Sequence, residues 1–477
     1  MKTKVALTMA LAGSVMLVGC SNNDNDPVVK EPTSKVRVLH AVSDAPPVNV
    51  LVDGQTAVSG ADFKQAAVIS PAVGSYSLTV EGILPGGATT PVIGPADVTL
   101  EEGFNYDVIA VGNLATIEPL ILADDGALTD ADLVRLRVAH LSPAAQAAVN
   151  GPVEVYVSVP DAELSDDGVL SFSFEFKGVQ DPIEVPAGDY RIRVAIPGDT
   201  PTVVYNSGVV SLVAGSDLLV GAVDNTSPAT TEGASNSPIS LIAVTSKGEV
   251  LELYDENQKA GVRVVHNSAD APAVAVLVDD SVAIPSLTFP NVAPGAAINS
   301  YAIIPNGTRN LKVSPATSAV PESAVIDADV EFGQASAKTV VAVNVLAAIE
   351  PLVLVDSVRS IATQASLRVV HGAVEAGTVD VYLVPTAEGG ATATVLNSEV
   401  NDPTLNDFEF KSNTGYLAVP EGEYVVFITD QSGNELLKTG SVTLSNGGVY
   451  TAIARLAPED SDNTAGLTLL DDFAGPV

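Results

Sequence analysis

The chain has one cysteine, no tryptophan, four histidines and only 22 lysines and arginines in 477 residues. A lone cysteine excludes an intrachain disulfide, so every domain must hold by packing. The absence of tryptophan, beside 11 tyrosines and 11 phenylalanines, argues against a sugar-stacking site. The few basic residues face 58 acidic ones, and the formal charge is −36. Such a surface repels nucleic acid and excludes it as a partner, while keeping the chain soluble in salt. Gly-x-Ser-x-Gly, His-Glu-x-x-His, P-loop and dinucleotide patterns are absent. No catalytic residue is therefore assigned, and a non-enzymatic role is expected. Helical i, i+3, i+4 spacing is scarce beyond the first residues. No later apolar run approaches the roughly 20 residues of a spanning helix.

What is present begins with an export signal. Lys2 and Lys4 precede an apolar run from Val5 to Val18, closed by Leu17-Val18-Gly19-Cys20. A basic head, a short apolar stretch and a small residue at the cut describe a secretory signal peptide over 1–19. The closing tetrapeptide resembles the lipobox of bacterial lipoproteins. That resemblance implies cleavage between Gly19 and Cys20 and a lipid on Cys20, making the membrane a partner through a covalent anchor. Two or three acyl chains hold a protein essentially permanently. The next residue is Ser21, not the Asp that retains enteric-type lipoproteins in the inner membrane, so the outer membrane is expected. Removal of 1–19 takes away two lysines and leaves a charge of 20 − 58 = −38. Residues 20–34 read as a flexible, polar tether.

The body repeats. Arg37-Val38-Leu39-His40 recurs as Arg137-Val138-Ala139-His140, Arg263-Val264-Val265-His266 and Arg368-Val369-Val370-His371. Each phrase leads to an alternating strand (Val48, Val50, Val52 in the first copy). A proline-glycine turn follows, as in Pro186–Tyr190 and Pro420–Tyr424, and then a final hairpin near Gly103, Gly215, Gly333 or Gly447. Copies 1 and 3 share Asp44-Ala45-Pro46 and Asp270-Ala271-Pro272, and 108–122 matches 340–354 at ten of fifteen positions. Copies 2 and 4 share Phe174-Glu175-Phe176-Lys177 and Phe408-Glu409-Phe410-Lys411. The order is thus A-B-A-B, a duplicated pair joined by Lys247 to Lys259. Period-2 alternation bounded by Gly, Pro, Asn and Asp predicts an all-β chain. The expected body is four tandem immunoglobulin-like antiparallel β-sandwich domains over 35–132, 133–258, 259–364 and 365–477.

These phrases resemble the domain of unknown function 4397 family, whose hallmark is Arg-Val-x-His, then Ser-Pro-Asp-Ala-Pro or similar, then Val-x-Val. Copies 2 and 4 keep Arg and His but carry Pro143-Ala144-Ala145 and Glu375-Ala376-Gly377 in the loop. The resemblance covers most of 35–475. It implies an exported β-sandwich and no particular activity.

The candidate site residues are Arg37, His40, Arg137, His140, Arg263, His266, Arg368 and His371. Residues three apart on a strand face opposite sides, so Val38 and His40 share one face while Arg37 and Leu39 share the other. Zinc needs three or four convergent ligands, and each repeat offers one histidine. The histidines are therefore read as strand-end residues bonding the following loop, with Asp44 or Asp270 as partner. The arginines are read as bracing sheet or inter-domain carboxylates. Asp124, Asp125, Asp130 and Asp132 are candidate Ca²⁺ ligands at the first domain junction. Asp166-Asp167, Asp279-Asp280, and Asp460 with Asp462 are further acidic clusters, and solvated loops are the alternative for all of them. No other cofactor is expected. The expected function is a lipid-anchored envelope rod, outside the cytoplasm, that binds an unknown protein or surface ligand. A spacer without a discrete site and a cryptic metal-dependent or hydrolytic enzyme are the alternatives.

Overall fold

A computed structural model describes residues 31–231, 236–386, 403–457 and 465–473. The signal segment, Cys20 and most of the tether, as well as Asp460 and Asp462, lie outside the described residues.

Repeat 1 sets the plan. Its strands are β1 (Lys35–His40), β2 (Val48–Val52), β3 (Gln55–Ala61), β4 (Ala66–Ile69), β5 (Gly74–Ile83), β6 (Thr89–Leu100), β7 (Asn105–Val111) and β8 (Glu118–Asp124). They form two sheets, β4-β1-β7-β8 and β3-β2-β5-β6. Repeats 2, 3 and 4 each pair two sheets in the same way, so the chain is four tandem β-sandwiches. The alternating valines do what their period requires. Val48 and Val50 point inward against Leu78, Val80 and Val108, each burial contributing about 1.5–3 kcal/mol.

Three details differ from the expectation. The first is that the opening strand runs parallel to the penultimate one, with Val36 opposite Tyr106 and Leu39 opposite Ile109. The same parallel pair recurs in every repeat, so one ladder per sandwich is not antiparallel. A parallel pair needs a long crossover, and the whole second sheet supplies it. The second is a short helix, α1 (Pro143–Val149), in repeat 2. Ser142 Oγ caps it by accepting from Ala145 N at 3.0 Å. The third concerns the glycine turns, which are corners between the two sheets rather than hairpins. Gly103, Gly215 and Gly447 hold the left-handed position there, but in repeat 3 that position is Ala335 (φ 57°), not Gly333.

The proline-glycine-tyrosine landmarks acquire a reason. Tyr190 and Tyr424 hydroxyls donate four residues back to the Pro186 and Pro420 carbonyls, at 2.9 and 2.8 Å. Tyr76 does the same to Ala72 at 2.7 Å. Repeat 3 has Arg309 there instead, which reaches the Asn306 carbonyl at 2.5 Å. Each pins the corner to the strand that leaves it.

The repeats also pack on one another. Sheet β4-β1-β7-β8 lies against the corresponding sheet of repeat 2, and Leu39, Ile109 and Val111 meet Leu219, Ile242 and Val244 in a second core. Repeats 3 and 4 do likewise through Val265, Val341, Val343, Val370 and Ile453. Strands buried on both faces read as continuous apolar runs. This explains the Val108–Val111 and Val340–Val343 segments that repeat so closely.

The body is not an extended rod, which corrects the expectation. The Lys247–Lys259 segment is no free linker: Val250–Leu253 adds a strand to repeat 2, and Asp255 and Gln258 are buried. Thr230 Oγ1 donates to the Lys259 carbonyl at 2.8 Å and Gln334 Nε2 to the Asp255 carbonyl at 2.8 Å, fastening repeat 2 to repeat 3. The segment between repeats 3 and 4 docks back onto repeat 1. Arg359 donates to the Ser43 carbonyl (2.8 Å), the Ala45 carbonyl (2.7 Å) and Asp62 Oδ1 (2.6 Å). Its guanidinium lies 5.1 Å from the centre of the Phe63 ring, and Ala362 N donates to the Asp44 carbonyl at 2.8 Å.

Candidate functional site

All eight signature residues are buried, at most 8% exposed. His40 closes β1 with its ring turned into the loop that follows. Val42 N donates to Nδ1 at 3.2 Å, so Nε2 carries the proton and donates to the Pro46 carbonyl at 3.2 Å. His266 Nε2 makes the same bond to the Pro272 carbonyl (3.0 Å) and His371 Nε2 to the Gly377 carbonyl (2.7 Å). Asp44 and Asp270 are not the partners, contrary to the sequence reading. Each instead accepts a backbone N–H across the loop, from Leu114 and Leu346 at 2.8 Å. A neutral imidazole satisfied by a carbonyl needs no buried carboxylate beside it.

His140 is the exception. Its Nδ1 accepts from Ser142 N at 3.4 Å. Helix α1 replaces the loop that carries the carbonyl elsewhere, and His140 Nε2 has no partner among the described residues. Burial lowers the pKa of all four histidines, that of His40 from 6.5 to about 4. Burial favours their neutral form, and among the described residues none has a hydrogen bond to a nucleophile or a second base.

Each ring also meets a phenylalanine edge-on: His40 with Phe63, His140 with Phe176, His266 with Phe289 and His371 with Phe410, at 6.1–6.5 Å. The residue after three of these is a lysine with positive φ: Lys64, Lys177 and Lys411. Its N–H donates to the histidine carbonyl at 2.8 Å in each case. Its ammonium then crosses to the neighbouring repeat. Lys64 pairs with Glu252, Lys177 with Glu118 (2.6 Å) and Lys411 with Glu350 (2.9 Å). The Phe-Lys dipeptide at 63–64, 176–177 and 410–411 is thus a further repeat landmark. It was legible in the sequence, where only the copies in repeats 2 and 4 stood out.

The arginines converge at the two sheet–sheet interfaces. Asp107 of β7 accepts from Arg37 Nε (2.6 Å) in its own repeat and from Arg137 Nη1 (2.7 Å) in the next. Arg37 also donates to the Val244 carbonyl of repeat 2 at 2.8 Å. In the second pair, Arg368 bonds Asp356 at 2.7 Å, and Arg263 bonds Asp471 at 2.8 Å and approaches Asp356 at 3.6 Å. Thr339 Oγ1 donates to Asp356 at 2.6 Å. Burial raises the Asp471 pKa against the pull of Arg263.

The Ca²⁺ candidates do not come together as a site. Asp124 is held by Arg135 at 2.5 Å and accepts from Gly126 N at 3.0 Å. The Arg135 bond lowers its pKa against the cost of burial. Asp130 Oδ1 accepts from Asp132 N at 3.0 Å. Among the described residues no three metal-ligating side chains converge anywhere.

The fold and these contacts define a class: tandem β-sandwiches paired face to face, whose repeated residues build the pair. The chain belongs to the family described as "Domain of unknown function (DUF4397)", which matches residues 34–151, 260–382 and 387–477. The first matched segment runs past repeat 1 into the opening strand and α1 of repeat 2. Among solved structures the chain is similar to one titled "Structure of the Streptococcal ancillary pilin", at 14% identity. That match covers 66% of this chain and 96% of that one, with a TM-score of 0.13. No curated protein matches the chain.

Proposed function

We propose that this is a lipid-anchored, non-enzymatic protein of the bacterial cell envelope whose sandwich body binds a partner or scaffolds other components. One observation carries the reading: every residue of the repeat signature is buried and bonded within the body or packed there. The signature thus serves architecture, and interaction falls to the loops and edges of a stiff body. The lipobox-like Leu17-Val18-Gly19-Cys20 supports the anchor, and Ser21 supports the outer membrane.

The experiment is metabolic labelling with a fatty acid in the native host, comparing the chain with Cys20→Ala, followed by trypsin treatment of intact and permeabilised cells. Label on the wild type alone is the expected result, with first cleavage after exposed Lys247 in the turn Thr245–Val250. An unlabelled wild type that fractionates with the soluble periplasm refutes the anchor.

A further inference from the structure

Each repeat leaves one comparable sheet edge. These are β6 in repeat 1, Thr202–Leu212 in repeat 2, Ile326–Phe332 in repeat 3, and an edge shared by Glu435–Lys438 and Val442–Leu444 in repeat 4. A free edge is a template for another strand, and soluble proteins guard it with charge, proline or interruption. Three of the four are guarded. β6 carries Pro91 and Pro95. Ile326–Phe332 exposes Asp327, Asp329 and Glu331. The edge of repeat 4 is broken into two short pieces.

Thr202–Leu212 is interrupted by bulges before Val209, with Gly208 in the left-handed position, but Val209–Leu212 has none of these devices. The whole strand is 11 residues long, uncharged and free of proline, and Val213 follows it at the start of the turn, where its carbonyl accepts from Ser216 N at 3.2 Å. Its outer side exposes Val203 (43%), Val209 (56%) and Val213 (69%). The middle of the strand is covered, because Asn206 N donates to Asp255 Oδ2 and the Asn206 carbonyl accepts from Glu256 N, both at 2.8 Å. From Val209 to Leu212, no backbone group among the described residues has a hydrogen bond outside the ladder with Gly188–Ile196.

We propose that Val209–Val213 is a self-pairing edge, at which two copies of the chain join antiparallel about a twofold axis through Ser211. The segment is its own complement. Pairing centred on Ser211 sets Val209 against the other copy's Val213, and Val210 against its Leu212, so exposed valines meet valines. A charged peptide finds no counter-charge within the strand. Of the carboxylates beside it, Asp189 is held by the Ser211 hydroxyl at 2.6 Å, and Asp255 and Glu256 are held by Asn206. Two bodies of formal charge −36 repel at long range, so salt strengthens this contact, the reverse of an ion-paired interface. Five residues a side bury far less than the roughly 800 Å² per partner of a standard interface, so the dimer is weak and concentration-dependent. This inference does not depend on the lipid anchor or on the binding role proposed above.

The test uses the chain carrying Cys20→Ala, which has no other cysteine. Ser211→Cys in that background places two thiols across the twofold, where facing Cβ atoms lie about 4.5–5.5 Å apart. Mild oxidation then yields a covalent dimer, while Thr202→Cys at the far end of the same strand stays monomeric. Sedimentation shows a dimer that grows with concentration and with salt. Val209→Lys, at an exposed position, weakens it about tenfold or more, because the twofold applies the change twice. A chain that stays monomeric across concentration and salt overturns the proposal. Equal crosslinking of Ser211→Cys and Thr202→Cys does too, as does undiminished association of Val209→Lys.

Discussion

Removing the Asp107 carboxylate should uncouple repeats 1 and 2. This carboxylate is nearly buried and holds Arg37 at 2.6 Å and Arg137 at 2.7 Å, one guanidinium from each repeat. Asp107→Ala leaves both cations in a dry interface. Arg37 keeps its bond to the Val244 carbonyl, and Arg137 keeps a bond to the Ala123 carbonyl at 3.3 Å and a long approach of 3.8 Å to Asp124. Breaking a buried pair from one side costs about 3–5 kcal/mol, because the remaining charge is uncompensated. The sharper half of the prediction is the contrast. Arg37→Met, Asp107→Leu and Arg137→Met together remove all the charge, and should come within about 1 kcal/mol of the wild type or exceed it. A multidomain chain need not unfold in one step, so the assay pairs urea unfolding by circular dichroism with hydrogen exchange read strand by strand. Asp107→Ala should raise exchange in β1, β7 and Leu133–His140 while leaving repeats 3 and 4 unchanged. If Asp107→Ala costs under about 1 kcal/mol with protection intact, the cluster does not hold the pair, and the argument fails.

Three further outcomes follow from the same geometry. Because the folded pKa of His40 is about 4 against an ordinary 6.5, the unfolded chain takes up the proton first as pH falls. Stability should therefore drop between about pH 6.5 and 4, by about 3 kcal/mol from His40 with the other histidines adding in the same direction, and level off below; a urea series across that range checks it, and His40→Asn should flatten the slope. His371→Leu should cost about 1 kcal/mol more than His140→Leu, since only the first orphans a carbonyl at Nε2, and matched thermal melts compare them. Arg359→Ala removes two charge-assisted bonds to carbonyls and one to Asp62, and should raise the radius of gyration in small-angle scattering by releasing repeat 1; an unchanged scattering profile means the docking does not rest on that residue.

The sequence made the β architecture, the four repeats and their pairing in type readable, because strand period and turn residues are local properties. What it hid depends on surfaces meeting. Leu39 and Ile109 look like ordinary strand residues until a second sandwich covers them, and the run Val108–Val111 then explains itself as a strand buried on both sides. Asp44 is the carboxylate nearest to His40 in sequence, and sequence alone therefore points to it. The carbonyl of Pro46 wins because every residue has one, and no letter marks which is within reach. Arg359 gave no signal at all, because its three acceptors are about 300 residues away. Helix α1 has too few residues for periodicity to show, and Pro143 after Ser142 was its one mark.

The parallel seating of β1 beside β7 also orders events in time. Lys35 finds Asn105 only after 69 intervening residues have been delivered, so a chain emerging amino-end first must wait with a half-apolar strand paired on one edge alone, by β4. The covering surface for that strand's other side comes later still, from Leu219 and Ile242 of repeat 2. Nascent chains are therefore most vulnerable to aggregation and proteases early, before the second sandwich arrives, and the pair rather than the single repeat is the smallest unit that matures fully.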